Sequence, residues 1–578
     1  MPAPLALTFG PWAPDIADVA VMVNGAPVTM PLADCLNVYF QDGKYRSLPT
    51  PANNQAGALF LAATPCWAFT ALDPGGNPVI QAGTGGALFS FNTSNPAAVA
   101  FTQIGTGYTA AQWSFCQFGA QMYATDANPA CTDGLLSWGF EISPTVSTVS
   151  GAPASNTVAT VGQFVMVGDL GAPITGFSLG TGNGSTTTFT ATSTNYPIRP
   201  TSAPGTAAVT IYNAGVYGGG DLEYGTLQGT ALASGSVNYD TGVLSVTFVT
   251  PPANGHAITA NFVQAFPNRV QWSAIGNAQS WPTPLTNAAI AAQSGYQDND
   301  ADLGRVMAIA GYPLYCLIFQ KSGIQLAQYV GGNVVFSFGA YERKRGLVAR
   351  GAMVQVSKNC YFLAEDGFFV TDGANVTPIG TASDNSAGID NWFWANVNKS
   401  ALAAISSGYD ATLRCVMWAI PTGASTVPTV LLIYNPMSGK WTKAAATCQW
   451  IWSDTDGTRH KVGLLSQPAP SDAYYQSLTG TPLQGYLETC DTVPADGSTM
   501  YTIGAVPNID CTDTPLIMIG TRKAQGLNVD YSRYAPPDSF STMAPFLKHG
   551  RYTRGRLASS SATAFNGLTL MQEPGGPF

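Results

Sequence analysis

A unit of two short apolar runs joined by a tight turn recurs through the middle of the chain, and this repeat limits the folds open to it. The best-preserved copy lies between Cys360 and Gly373, with its turn at Glu365–Gly367. Related copies occupy Tyr315–Val330 and Cys415–Trp441. Because one small sheet cannot bury both of its faces, each copy needs neighbours stacked against it. The chain is therefore expected to consist of stacked β-sheets.

The spacing of these copies, roughly 40–50 residues, is typical of β-propeller blades with several strands each. Glycine (62 residues) and proline (40 residues) punctuate the apolar runs and do not form one tract, as turns between short strands do. Helix is expected only in two short segments, Leu285–Gln293 and Gly388–Asn396. We predict an all-β protein, a β-propeller of about six blades.

A stretch of different composition interrupts this pattern. Residues 171–266 contain no cysteine, tryptophan or lysine, and short alternating runs such as Val243–Val249 are separated by turns rich in glycine. Such a pattern favours a small β-sandwich. We therefore predict three parts: residues 1–170 as the first part of the propeller, residues 171–266 as an inserted β-sandwich appendage, and residues 267–578 as the second part of the propeller with C-terminal closing strands.

Charged residues form only 10% of the chain, and its formal net charge is −9. An acidic chain is not a general nucleic-acid clamp, because the surface of such a clamp is basic. Ordinary soluble domains contain about 25% charged residues. The low value leaves two interpretations, a surface of uncharged polar residues or a surface buried in an assembly, and we favour the assembly.

Ten cysteines are scattered along the chain without a Cys-x-x-Cys pair, and Cys316, Cys360 and Cys415 lie in or beside apolar strand candidates. Buried thiols are favoured over disulfides, which fits assembly in a reducing compartment. The segment Met1–Gly10 lacks the basic start of a signal peptide. No stretch reaches about 18 clean apolar residues, so we expect no membrane segment.

Two motifs match catalytic or metal-binding patterns only in part. Gly176–Gly180 fits the G-x-S-x-G nucleophile elbow, but that motif needs a strand-to-helix turn, and glycines and threonines follow here. The acidic series Asp298–Asp302 resembles a calcium loop, but Leu303 and Ile309 stand where that loop needs Gly and Glu. The three histidines are isolated from one another. We predict a protein that is not an enzyme and has no cofactor and no metal site.

Two clusters of basic residues remain. They either line a path for DNA or bind acidic faces of a partner, or they are solvated charges and salt bridges between subunits. We take the first cluster as DNA-channel candidates and the second as partner-interface candidates. The DNA-channel candidates are Arg343, Lys344, Arg345 and Arg350, and the partner-interface candidates are Lys548, Arg551, Arg554 and Arg556.

Aromatic residues are concentrated at Trp392–Trp394 and at Trp441, Trp450 and Trp452. Such clusters form the cores of blades, and they can also stack on sugar rings. The second interpretation keeps a glycan-binding function open.

Several short motifs follow one another in order along the chain. They include Asn37–Tyr39, Arg269–Trp281, Gln328–Gly332, Leu432–Trp441 and Gly550–Arg556. The series resembles the β-propeller tail nozzle proteins of short-tailed bacteriophages, which are related to packaged-DNA stabilisation (tail hub) proteins. The resemblance covers most of the chain outside the insert, and it rests on the order of the motifs because each motif alone is mainly a blade turn.

The resemblance implies a virion structural protein that forms a homo-oligomeric ring, a hexamer, below the portal and its head-to-tail adaptor protein. Such a ring would extend the DNA channel, retain the packaged double-stranded DNA and let it out on ejection, with tail fibre or spike proteins as further partners. It would be assembled in the host bacterial cytoplasm and reside in the virion tail. The alternative is a receptor- or glycan-binding tail protein in which the insert is the adhesive part.

Overall fold

Strands dominate the computed structural model. The described residues include two short α-helices, Asn287–Ala291 (α1) and Asp390–Asn396 (α2), and both fall within the predicted helical segments. Short 3-10 helices occur at Pro14–Ile16, Ala301–Leu303, Arg350–Ala352 and Lys399–Ala404. The structure describes residues 3–16, 20–54, 67–92, 101–110, 112–127, 131, 133–141, 144–200, 207–223, 225–381, 388–446, 448–455, 457–469 and 472–575.

The chain forms two compact units, one from residues 1–61 with 348–578 and the other from residues 62–347. The first strands of the chain belong to the former unit, where they join sheets built mainly from much later residues. These strands are β1 (Ala3–Trp12), β2 (Ala20–Val23), β3 (Val28–Leu36), β4 (Val38–Gln41), β5 (Lys44–Ser47) and β6 (Pro49–Asn53).

The unit formed by residues 62–347 begins with two antiparallel sheets of four strands, in which strands adjacent in sequence are paired. This is the strand order of a propeller blade. The first sheet contains β7 (Trp67–Leu72), β8 (Pro78–Gly83), β9 (Ala87–Asn92) and β10 (Thr102–Thr106), and the second contains β11 (Ser114–Phe118), β12 (Gln121–Thr125), β13 (Leu136–Trp138) and β14 (Ser147–Thr148).

A ten-stranded sheet follows, and it combines four strands of blade type with the inserted segment. The blade part consists of the first two and the last two of its strands. The ten strands are β15 (Ala154–Val161), β16 (Phe164–Thr181), β17 (Thr188–Thr192), β18 (Thr210–Asn213), β19 (Val216–Glu223), β20 (Thr226–Gln228), β21 (Leu232–Asn238), β22 (Val243–Phe248), β23 (Ala257–Trp272) and β24 (Gly295–Asp298).

The insert differs from a separate small sandwich because β16 and β23 run without a break from the blade into it. These strands are 18 and 16 residues long and pair with each other from Met166 opposite Trp272 to Thr181 opposite Ala257. The inserted strands therefore share one hydrogen-bonded sheet with the blade. They enclose a core of their own that includes Phe189.

One more four-stranded sheet completes this unit: β25 (Val306–Gly311), β26 (Tyr315–Gln320), β27 (Ile324–Tyr329) and β28 (Phe336–Glu342). The first strands of the successive sheets pack against one another, β7 with β11, β11 with β15, and β15 with β25. This side-by-side packing of first strands buries the faces that a single sheet would expose.

The other unit contains three further four-stranded sheets, and the last of them takes its fourth strand, β6, from the beginning of the chain. The sequence predicts that C-terminal strands close the propeller, whereas this fourth strand comes from near the beginning of the chain. The remaining strands are β29 (Met353–Val356), β30 (Asn359–Ala364), β31 (Gly367–Thr371), β32 (Val376–Pro378), β33 (Ser406–Asp410), β34 (Cys415–Ile420), β35 (Val430–Asn435), β36 (Lys440–Ala445), β37 (Trp450–Thr455), β38 (His460–Ala469) and β39 (Asp472–Pro482).

A thirteen-stranded sheet completes this unit and is not a blade. It combines β1–β5 with eight late strands, whereas the sequence predicts that residues 1–170 and 267–578 belong to the propeller as a whole. The late strands are β40 (Gly485–Thr489), β41 (Asp491–Pro494), β42 (Met500–Asp510), β43 (Leu516–Arg522), β44 (Asp530–Tyr531), β45 (Ala544–Gly550), β46 (Tyr552–Ser559) and β47 (Ala564–Pro574).

The prediction of an all-β propeller with about six blades is confirmed: the described residues form six separate four-stranded sheets, and the ten-stranded sheet contributes a further meander of four.

Strand β34 explains the apolar runs, because all six of its residues are buried. On one face Cys415 and Met417 join a core with Ile451. On the other face the Trp418 ring lies 5.0 Å from that of Phe368. Central blade strands are therefore apolar on both faces.

The cysteines support the same picture. No disulfide joins the nine described cysteines, and all of them except Cys511 are buried. Burial raises the pKa of the Cys116 thiol to about 12, so this side chain stays neutral and behaves as a small apolar group. The prediction of buried thiols at Cys316, Cys360 and Cys415 is confirmed.

Candidate functional site

The first basic cluster lies in the turn after β28. Arg343 has a side chain that is 65% exposed, and its Nη1 donates to Oδ2 of Asp300 at 2.9 Å. The backbone N–H of Lys344 donates to the Glu342 carboxylate at 2.8 Å, which fixes the turn. An exposed ion pair of this kind contributes about 0–1 kcal/mol, so the turn presents its positive charge to solvent and is held mainly by backbone geometry.

The other two members of this cluster are less exposed. Arg345 is half-buried at the end of the same turn. Arg350 is also half-buried and begins a 3-10 helix, Arg350–Ala352, in the unit that contains the thirteen-stranded sheet. Arg343 and Lys344 are thus the DNA-channel candidates with the most exposed charge, and the assignment of all four to a channel stays a prediction.

Members of the second basic cluster enter a network of charges inside the thirteen-stranded sheet. Arg554 on β46 donates through Nε to Asp491 at 2.8 Å and through Nη1 to Glu488 at 3.3 Å. Arg522 on β43 donates through Nε to the other oxygen of Asp491 at 2.6 Å. Arg556 donates through Nε to Oε2 of Glu488 at 2.6 Å. Three guanidinium groups therefore share two carboxylates.

This network is deeply buried, since Glu488 and Asp491 are each only 1% exposed. Burial alone would lower the pKa of Arg554, but the carboxylates of Asp491 and Glu488 outweigh burial and raise that pKa above its ordinary value. Burial and the hydrogen bond to Glu488 raise the pKa of Tyr531 to about 12. The network is therefore a buried link between β40, β41, β43 and β46.

The four partner-interface candidates therefore separate into two pairs. Arg554 is buried and bonded within the chain, and Arg556 has a side chain that is 20% exposed and pairs with Glu488. Lys548 on β45 pairs with Asp530 at 2.7 Å, and Arg551 is half-buried beside the ring of Tyr552. The structure places Arg554 in the interior of the sheet, where a partner does not reach it, and the interface assignment of the others stays a prediction.

A third charged group, which the sequence did not indicate, lies where the insert leaves its blade. Asp169 is completely buried in β16, at a β-bulge, with a backbone φ of 57°. Its carboxylate accepts from Asn156 Nδ2 at 2.9 Å, from Arg199 Nη2 at 3.0 Å and from Arg305 Nη2 at 2.5 Å. One aspartate thus joins the blade, the insert and the turn before β25. The local sequence signal is the Gly-Asp pair at 168–169, which ends the apolar run Phe164–Val167 just before the insert.

The partial catalytic motif is part of regular structure. Ser178 of the G-x-S-x-G match lies within β16 and pairs with Thr259 of β23, so the strand-to-helix turn of a nucleophile elbow is not formed there. Asp298 of the acidic series binds Arg269 at 2.6 Å, and Asp300 caps a 3-10 helix. Among the described residues, no three His, Cys, Asp or Glu side chains are grouped as metal ligands.

The aromatic clusters are mainly core. Trp441, Trp450 and Trp452 are all buried, and the Trp441 ring stacks on that of Trp418 at 5.5 Å. Trp392 in α2 is half-buried, and its ring lies 5.2 Å from that of Trp12. The blade-core interpretation therefore accounts for Trp441, Trp450 and Trp452. Within the described part of the chain, no helix is both long and apolar enough to cross a membrane.

Comparisons with known proteins give likeness of fold alone. No family model matches the sequence, and no curated protein matches it. Among solved structures, apo AztD from Citrobacter koseri is 11% identical with a TM-score of 0.27, covering 67% of this chain and 94% of that one. An exo-β-1,3-galactanase from Phanerochaete chrysosporium is 9% identical with a TM-score of 0.23, covering 80% and 96%. The endosialidase of phage phi92 is 9% identical with a TM-score of 0.18, covering 89% and 69%.

Proposed function

We propose that this protein is a non-enzymatic structural protein of a short-tailed bacteriophage virion, whose copies form the nozzle of the tail. In this role a ring of about six copies extends the DNA channel, retains the packaged genome and lets it out on ejection. Its neighbours in the particle are the portal-adaptor protein and the tail fibre or spike proteins. The ring is assembled in the host bacterial cytoplasm and then resides in the virion.

The observation that carries this proposal is the interlocking of segments far apart in sequence. Residues 3–47 and 485–574 supply strands to one thirteen-stranded sheet, and β6 supplies the fourth strand of the last blade sheet. The buried network around Glu488 and Asp491 links four strands of the large sheet through ion pairs. A body joined in this way keeps its shape under load, as a DNA channel under packaging pressure requires.

Surface chemistry supports an assembled state. On the thirteen-stranded sheet, β45 pairs with β42 alone and so forms an end of the sheet. Leu547 of this strand is 79% exposed, and Phe540 just before it is 99% exposed. Large exposed apolar side chains and the open hydrogen-bonding groups of an edge strand are typical of contact surfaces. Together with the low content of charged residues, they favour contacts between copies.

Native mass spectrometry with electron microscopy of the purified chain tests the proposal. We expect a closed ring whose mass is about six times 60.3 kDa and which has an axial hole. A stable monomer or a trimer without a hole, under conditions where the fold is intact by circular dichroism, would overturn the nozzle. A trimer that also binds glycans would favour the receptor-binding alternative.

A further inference from the structure

A cleft of about 790 Å³ lies between the inserted strands and the blade from which they emerge. The insert contributes one wall through Pro197–Pro200 and Ser236–Asp240, and β23 contributes Ala265 and Pro267, at the point where it passes from the insert into the blade. Val243 of the insert and Arg305, which lies in the turn before β25, complete the lining. Clefts of this size are in the range that holds small organic ligands.

The floor of the cleft carries positive charge. Arg199 and Arg305 both bind the one carboxylate of Asp169, which is completely buried. Two guanidinium groups against one carboxylate leave one positive charge at the floor. The other charged residue of the lining is Asp240, which is exposed to solvent. Water therefore screens the negative charge of Asp240 more strongly than the positive charge of the two arginines.

The two arginines differ in the donors that they can present to a ligand, because Arg199 is buried and Arg305 is partly exposed. The side chain of Arg199 is only 7% exposed, and its Nη2 donates to Asp169 and to the carbonyl of Leu170, both at 3.0 Å. Its buried Nε has no hydrogen-bond partner. A buried donor without an acceptor costs about 1–3 kcal/mol. The side chain of Arg305 is 44% exposed and binds Asp169 through Nη2. The other N–H groups of its guanidinium remain for a ligand in the cleft, which Arg305 lines.

The walls of the cleft suit a ligand that has both polar and apolar surface. Pro197, Pro200 and Pro267 give apolar surface, and Ser236 and Asn238 give hydrogen-bonding groups. The ring of Tyr239 also lines the cleft, and its hydroxyl donates to the carboxylate of Asp221, which fixes the ring as a flat surface. Flat aromatic faces beside polar side chains fit a sugar ring.

We propose that this cleft binds a small saccharide that carries an anionic group, a carboxylate or a phosphate. The anionic group would lie against the outward N–H groups of Arg305, because a planar guanidinium matches either anion with two parallel hydrogen bonds. The sugar ring would lie between Tyr239 and the proline wall. The site does not depend on ring formation, so its test is separate from the native-mass experiment.

Titration calorimetry of the full chain with glucuronate, glucose 6-phosphate and glucose tests the site. These probes share a pyranose ring and differ in the anionic group. We expect glucose to bind at least tenfold more weakly than the better of the two acids. The acid that binds more tightly identifies the anion. Equal binding of all three, or no binding of any, would overturn the proposal, and so would inorganic phosphate binding as tightly as glucose 6-phosphate.

Substitution of Arg305 locates the binding. Arg305→Ala should weaken the preferred acid at least tenfold and leave glucose unchanged, while Arg199 still pairs with Asp169 and the fold persists. Arg305→Lys keeps the positive charge but lacks the planar guanidinium. Its affinity for the preferred acid should lie between those of the natural chain and Arg305→Ala. Arg343→Ala is the matched control, since Arg343 is an exposed arginine with an aspartate partner outside the cleft. Equal effects of Arg305→Ala and Arg343→Ala would overturn the assignment.

Discussion

At the scale of single residues, Asp169 links the insert to its blade. Its side chain is completely buried, and two arginines from different elements depend on its charge. The left-handed φ of 57° places it at a bulge, a conformation that aspartate tolerates better than most residues. The insert is therefore joined to its blade by the paired backbones of β16 and β23 and also by a buried ion cluster.

Asp169→Ala should lower the free energy of unfolding by about 3 kcal/mol or more, because it leaves the buried charge of Arg199 without a counterion. Urea denaturation measures this loss, as a lower midpoint of the unfolding transition of the unit formed by residues 62–347. Asp298→Ala is the control: its carboxylate also binds an arginine, but its side chain is 49% exposed, so the loss should be about 0–1 kcal/mol. Similar losses for both variants would contradict the role given to Asp169.

A second residue-scale prediction concerns Asp390, the first residue of α2. Burial, together with the nearby charges of Asp15 and Asp366, raises the pKa of this carboxyl to about 6, although Phe368 N and Thr381 Oγ1 donate to it at 3.1 and 3.2 Å. Because the folded pKa lies above the unfolded value, the protonated form favours folding. That stabilisation is complete below about pH 4 and is lost as the pH rises through about 6.

The unfolding midpoint of the natural chain, compared with that of Asp390→Asn at each pH, isolates this group. Asparagine keeps an acceptor for Phe368 N but does not titrate. We expect the natural chain to gain stability relative to the variant as the pH falls from 7 to 5. The other carboxylates titrate in both proteins, so their contributions to the pH dependence cancel in the comparison. A difference that stays constant across this interval would contradict the raised pKa.

At the scale of elements, local patterns were sufficient for the blades. Apolar runs and a turn predict the hairpin at Cys360–Gly373, and the structure has β30 and β31 there, joined through Glu365 and Asp366 and followed by Gly367 with a φ of 137°. Both short helices also lie where the sequence indicated them. These elements depend on neighbours in sequence, so periodicity and turn residues contain the information that specifies them.

The pairings that the sequence did not indicate are long-range. Strand β6 reads Pro-Thr-Pro-Ala-Asn, and two prolines argue against a central strand. It forms an outer strand, paired only with β39, where missing N–H donors cost little. The sequence likewise gave no sign that Arg556 would meet Glu488, because nothing local to either residue specifies the other. The local sequence therefore indicates Arg554 and Arg556 as partner-interface candidates, although both pair with Glu488 of the same chain.

At the scale of the whole molecule, charge is divided between buried ion networks and an exposed cluster. The buried arginines are neutralised by buried carboxylates, and the cluster at the β28 turn keeps Arg343 and Lys344 exposed in a chain with a net charge of −9. A DNA channel needs weak contacts with the passing phosphates, because strong contacts would hold the genome in place. A few exposed cations on an acidic body meet this requirement under the proposed function.

The last prediction reverses that local charge. Arg343→Glu with Lys344→Glu should alter genome retention or the rate of ejection in assembled virions, because each exposed cation near DNA contributes a salt-dependent attraction to phosphate. The fold should persist, since among the described residues this removes the ion pair of Arg343 with Asp300, in which the arginine side chain is 65% exposed. Lys399→Glu is the control, an exposed lysine outside both clusters. If the double variant and this control retain and eject DNA alike, while native mass shows the ring intact in both, then the turn does not face the channel and the path of DNA is lined by other residues.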